Sequence, residues 1–161
     1  MATFLSSYDQ IDALLIQDVM AEGVIRAYEA AGKPLPTMTG DYTCGFIRLW
    51  HDKYPDLNSI GVSYAPSHAG TALGFTLKLL QGKQLKDEML QPNPMDPTMK
   101  NTIMIPIPYV VTKDGDTTKP WCTQFTQCIS LEKAYELCQP RPDTYMLDRI
   151  MSEEEIDAFF K

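Results

Sequence analysis

The sequence has no GxGxxG, no GxxxxGKS/T and no GxSxG. The signatures of dinucleotide, P-loop and α/β-hydrolase sites are therefore missing. Histidine is scarce: His51 and His68 are the only two, and neither lies in an HExxH-like or triad-like setting. The four cysteines, Cys44, Cys122, Cys128 and Cys138, form no CxxC pair, so no metal site is expected. No apolar run approaches the roughly 20 residues that span a bilayer, and no membrane insertion is expected. The opening MATFLSSYDQ has neither the basic nor the apolar region of a signal peptide. Positive charge is in deficit, with 14 Lys+Arg against 21 Asp+Glu and a net charge of −7. That balance argues against nucleic acid or an anionic membrane as the main partner, and otherwise serves solubility.

The 161 residues suffice for a domain with a real core. The most informative stretch is Ile11–Gly40. A short apolar run, Ala13–Gln17, reads as a buried strand. Helical spacing of Met20, Val24, Ala27 and Tyr28 follows, and Gly32 with Pro34 stops it. Thr37–Thr39 reads as a second strand ending at Gly40-Asp41. Thr43 is placed to cap a helix from Cys44 to about Lys53, with Phe46, Ile47, Leu49 and Trp50 on its apolar face. Ser59–Tyr64 reads as a third strand. A helix from about His68 to Gln81 carries Ala72, Leu73, Phe75, Leu77, Leu79 and Leu80 as its stripe. Lys83–Asn101 reads as a proline-broken connection, and Ile103–Val111 as a strand that Pro106 and Pro108 confine to an edge or a crossing. The tail 115–161 reads as irregular, with helices near Leu131–Leu137 and Ser152–Phe160.

The β-α-β-α-β-α-β alternation implies an α/β fold with a parallel sheet and flanking helices. Ligands of such sheets bind outside the carboxyl ends of the strands. Asp18 and Asp41 follow two of those ends and would share one rim. Asp18 also suits a helix N-cap, and Asp41 an ordinary Gly-Asp turn. Cys44 falls at a helix N-terminus, where a thiolate is stabilised, but the sequence sets no base beside it. A Cys122–Cys128 or a Cys128–Cys138 disulfide would suit an oxidising compartment, and free buried thiols are the alternative.

The segments IDALLIQDVMAEGVIRAYEAAGKPLP, GD, SIGVSYAPSHAGTALGFTLKLLQGK and IMIPIPYVVTKD, in that order, resemble the C-terminal part of a type I periplasmic sugar-binding protein. That is the ribose-binding-protein-like solute-binding component of ABC transporters. The resemblance runs from about Phe4 to Asp114. It implies a partial C-terminal lobe over 1–114, with 59–82 as a returning strand and helix, followed by the tail 115–161. It implies a fragment of a periplasmic protein that is non-catalytic, needs no cofactor, and binds a sugar and an ABC-transporter permease. The ligand-binding positions carried over are Gln17, Asp18, Asp41 and Tyr64, with Tyr42 as a further stacking face. Tyr64 stands where the family often has Gln. Ionised carboxylates suit sugar hydroxyls because each accepts several strong hydrogen bonds. Exposed strand edges in a partial lobe imply a homo-oligomer.

Two other classes fit less well. The effector-binding core of a LacI-type regulator shares the two-lobed fold, but no basic helix-turn-helix is present. A carbohydrate-active enzyme would use Asp18 and Asp41 as an acid–base pair, or Cys44 as a nucleophile.

Overall fold

A computed structural model describes the chain over residues 1–161, with Asp18 outside the described residues. The chain forms two compact units. The first comprises Met1–Tyr64 and Tyr109–Leu147, the second Ala65–Pro108 and Asp148–Lys161.

The first unit holds a five-stranded sheet in the order β1 (Ala13–Leu14), β2 (Thr37–Gly40), β3 (Ser59–Gly61), β6 (Tyr109–Thr112), β7 (Gln127–Ser130). Its helices are α1 (Ala2–Ser7), α2 (Ala21–Ala31), α3 (Cys44–Arg48) and α5 (Leu131–Cys138). The pairs β1–β2, β2–β3 and β6–β7 are parallel. The expected α/β fold with a parallel sheet and flanking helices is present, with one antiparallel junction, where β6 runs against β3 with Gly61 opposite Val111. Residues 65–108 between them belong to the second unit. No helical crossover on this sheet therefore forces them parallel.

Regular pairing of β1 is shorter than the apolar run suggests. Beyond Leu14 the Thr39 side chain takes over: its hydroxyl accepts from the Ile16 N–H at 2.7 Å and donates to the Ile16 carbonyl at 3.2 Å. Helix α2 ends as expected at Gly32, whose φ of 63° needs no Cβ, and Lys33 N–H returns to the Tyr28 carbonyl. Thr43 caps α3, its hydroxyl accepting from Phe46 N–H. The helix then widens into a π-helical turn, Leu49–Lys53. Ile25, Tyr28, Met38, Phe46, Ile47, Trp50 and Val111 form the core of this unit. The Trp50 indole N–H donates to the Leu57 carbonyl at 3.1 Å, so the largest core side chain buries no unpaired donor.

Within 115–161, helices form near both places expected, α5 (Leu131–Cys138) and α6 (Glu153–Asp157). Residues 127–138 add β7 and α5 to the first unit. Two disulfides form, Cys44–Cys138 and Cys122–Cys128. The first pairing joins residues 94 apart and was not among those expected.

The second unit contains α4 (Ser67–Leu80), β4 (Leu90–Asn93), β5 (Asp96–Ile103) and α6 (Glu153–Asp157). The proline-broken connection is a hairpin, β4 antiparallel to β5, with register shifts on either side of Pro92. Its strand β5 is mostly exposed, so it lacks the apolar alternation by which strands are recognised. The strand expected over Ile103–Val111 is broken instead: β5 ends at Ile103, and β6 starts after Pro108, where backbone donors resume. Of the stripe expected on α4, only Phe75 is buried. It meets Phe159 edge-on and Phe160 at a tilt, with ring centroids 5.0 and 5.9 Å away. Ser152 and Glu155 close a capping box on α6.

Candidate functional site

Because β1, β2 and β3 are adjacent and parallel, the segments leaving them emerge at one edge of the sheet. Gln17 follows β1, Asp41 and Tyr42 follow β2, and Tyr64 follows β3. The topology thus brings the expected site residues to a common edge. Asp18 lies outside the described residues.

Their environments differ. Gln17 is exposed and extended, with φ −85° and ψ 124°. It lines a cavity of about 590 Å³ whose other walls include Phe4, Tyr8, Leu14, Ile16 and Met20. Tyr64 is 73% exposed. Asp41 and Tyr42 are fully buried. One Asp41 carboxylate oxygen accepts from the Thr43 N–H at 2.7 Å and from the Thr43 hydroxyl at 2.6 Å, and so fixes the turn into α3. The Tyr42 hydroxyl donates to the Ser63 carbonyl at 2.7 Å, and its ring stands edge-on to Tyr109. The Tyr42 face expected to stack on a ligand is thus packed into the core.

A strap, residues 143–147, that no sequence pattern announces is hydrogen-bonded along this turn. Its Asp143 and Tyr145 carbonyls accept from the Gly45 and Cys44 N–H groups, and its Leu147 N–H donates to the Tyr42 carbonyl. Met146 bridges to Thr43. The first-turn amides of α3 are therefore occupied from within the chain. Arg48 anchors the strap, its guanidinium donating to the Asp143 carboxylate and to the Cys138 and Arg141 carbonyls.

Three residues of this edge escaped the sequence reading. Glu22, in the first turn of α2, has a carboxyl pushed above the usual carboxylate range. Burial is the main cause, the nearby Arg26 opposes it, and Asp143 and Asp41 add to it. Gly45 makes room for that carboxyl, since a Cβ there would run into its oxygens. Gly61 likewise admits the backbone: a Cβ would stand 2.7 Å from the Asp41 carbonyl oxygen. The available hints were an acidic residue at a helix start and glycines beside the strand ends. Each is too common to single out a site.

The edge can therefore present the Gln17 amide, the partly exposed Glu22 carboxyl and the exposed Tyr64 side chain to a polar solute. Cys44 is consumed in a disulfide and offers no thiol. Among the described residues no group of three or more His, Cys, Asp or Glu is placed to hold a metal ion. No helix among them is long and apolar enough to cross a membrane.

No family model matches the chain, and no curated protein matches it. Among solved structures, it is similar to an ABC transporter solute binding protein from Thermobispora bispora. The two are 32% identical, with a TM-score of 0.46, over 52% of this chain and 26% of that one. The chain thus matches about a quarter of that protein's length.

Proposed function

We propose that this chain is part of a solute-binding component of an ABC transporter and that it binds a sugar, without catalysis, at the shared edge of β1, β2 and β3. The observation that carries the reading is the emergence of Gln17, Asp41 and Tyr64 from three adjacent parallel strands at one edge. The motif series from Phe4 to Asp114 supports the sugar-binding class.

The chemistry of the edge suits a polyol. Each hydroxyl left unpaired on burial costs about 1–3 kcal/mol, so a sugar site needs a dense set of partners. The Gln17 amide can donate and accept, and the carboxylates of Asp18 and Glu22 can accept. The side chain of Tyr64, 73% exposed, supports stacking against the C–H face of a pyranose. Asp41 and Tyr42 belong to the same site in this reading, with Asp41 setting the loop from beneath and Tyr42 backing it.

Two disulfides favour an oxidising compartment such as the periplasm. They weigh against the regulator reading, because a cytosolic repressor core would keep its thiols reduced. The permease partner belongs to the same proposal.

The test is thermal melting of the chain with pentoses, hexoses, deoxyhexoses and sugar alcohols at high millimolar concentration. Binding to the native state raises the melting temperature. The expected result is a rise with one class of sugar that Gln17→Ala and Tyr64→Ala remove without lowering the ligand-free melting temperature. An unchanged melting temperature across the whole panel would overturn the sugar assignment.

A further inference from the structure

His51 sits in the π-helical turn after α3 and is gripped from two sides. Its Nδ1 lies 2.7 Å from the Asp52 carboxylate, and its Nε2 lies 3.0 Å from the Glu132 carboxylate in the first turn of α5. Both ring nitrogens thus face a carboxylate oxygen. Both contacts are hydrogen bonds only when both nitrogens donate, which only the imidazolium can do. The neutral ring must turn a lone pair toward one carboxylate.

The surroundings reinforce the grip. Tyr135 of α5 stacks on the imidazole at 3.8 Å between centroids and 13° between planes. Its hydroxyl donates to the second Asp52 oxygen at 3.3 Å. The charged and titratable groups facing His51 are therefore Asp52 on its own turn and Glu132 and Tyr135 on α5. Arg48 at the end of α3 also acts on Asp52. The neighbouring lysines are engaged elsewhere, Lys53 with Glu29 and Lys133 with Glu136. Charge in the immediate pocket is thus two carboxylates against one imidazolium.

We propose that His51, Asp52, Glu132 and Tyr135 form a proton-operated clasp that holds the first two turns of α5 against the π-helical turn. Loss of one proton releases the Glu132 contact. The release is local, because α5 remains tethered at both ends. Cys138 is bonded to Cys44, and Leu131 is buried beside the Ser130 cap. What changes is the freedom of residues 132–136, not the attachment of the helix.

The direction with pH follows. The Asp52 and then the Glu132 hydrogen bonds hold the His51 pKa above its ordinary 6.5. A histidine raised in this way contributes stability that is complete below pH 6.5 and is lost as pH rises through the raised value. Asp52 is held below the usual carboxylate range, chiefly by His51, so its share fails only on acidification below about pH 4. The clasp is therefore closed from roughly pH 4 through 6.5 and opens as pH rises through the raised His51 value.

The experiment follows the His51 ring by NMR from pH 5 to 9 and, in parallel, amide hydrogen exchange in α5 corrected for intrinsic rates. The expected ring pKa lies above 6.5 and falls in both Glu132→Gln and Asp52→Asn. Protection of the α5 amides should fall about two- to fivefold across the same transition, the range expected of partly exposed ion pairs. In His51→Gln it should stay at the lower level at every pH. Glu132→Gln lies on the surface and keeps the side-chain volume, so it serves as the control should His51→Gln fold poorly. A ring that titrates at 6.5 or below in the parent chain, or α5 protection that does not change across the ring transition, would overturn the proposal.

Discussion

Cys44, the first residue of the helix after β2, is disulfide-bonded to Cys138, the last residue of the helix after β7. The bond spans 94 residues and closes the loop that contains every strand from β3 to β7. In the chain-entropy account, a loop of that length restrains the unfolded state by about 4–5 kcal/mol, and the Cys122–Cys128 loop by only about 2. Cys44→Ala/Cys138→Ala should therefore lower stability by more than Cys122→Ala/Cys128→Ala. Urea denaturation of the two double variants measures the order directly. The reverse order would mean that the long-range bond is not what holds α3 to α5.

Glu22 is a carboxylate that costs stability. Its raised pKa means that the folded state prefers the neutral acid. The cost is present above that pKa and vanishes as pH falls through it. Glu22→Gln should raise the melting temperature at pH 7 by roughly 1–2 °C, from about 0.5 kcal/mol after allowance for its partial exposure and its Arg26 pair. The difference should disappear near pH 4. A lower melting temperature at pH 7 would show that the Arg26 pair outweighs burial.

Gly40 and Gly45 should respond differently to the same methyl group. A Cβ at Gly40 would collide with the Phe46 ring, which is fully buried and has no room to turn. Gly40→Ala should cost about 1–3 kcal/mol, as overpacked cores do. A Cβ at Gly45 meets only the end of the flexible Glu22 side chain, and alanine suits a helix better than glycine. Gly45→Ala should change stability by less than about 1 kcal/mol while displacing the Glu22 carboxyl. Equal losses in the two variants would contradict this assignment of the close contacts.

Asp41 should prove structural as well as charged. It accepts from both the Thr43 N–H and the Thr43 hydroxyl, and Thr43 in turn caps α3. Asp41→Ala leaves those donors buried and should cost about 1–3 kcal/mol. Asp41→Asn, which keeps one acceptor oxygen, should cost less. Chemical denaturation of both variants separates the two roles.

Much of the first unit was legible because its elements are local. Helix α2 announces itself by apolar spacing and stops at Gly32. Thr43 marks the start of α3 through a cap that bonds three residues on. The order of β1, α2, β2, α3 and β3 followed from such signals. The antiparallel entry of β6 was hidden because it depends on residues 65–108 leaving for another unit. The β4–β5 hairpin was hidden because an exposed ribbon needs no apolar alternation.

The candidate site was legible only in outline. Strand ends followed by polar residues pointed to the edge, where Gln17 falls level with Asp41 and Tyr64 lies two residues further along. The strap 143–147 lies along the turn after β2 through hydrogen bonds that reach about 100 residues back along the chain. A bond of that span leaves no local pattern. The Cys44–Cys138 pairing was obscured for the same reason.

The most direct measurement of the central claim is a ¹⁵N-labelled amide spectrum of the chain titrated with the sugar that most raises its melting temperature. The account predicts saturable shifts confined to amides at the edge of β1, β2 and β3, near Gln17, Asp41, Gly45 and Tyr64. Saturable shifts centred elsewhere, or no saturable shift at any amide, would contradict it.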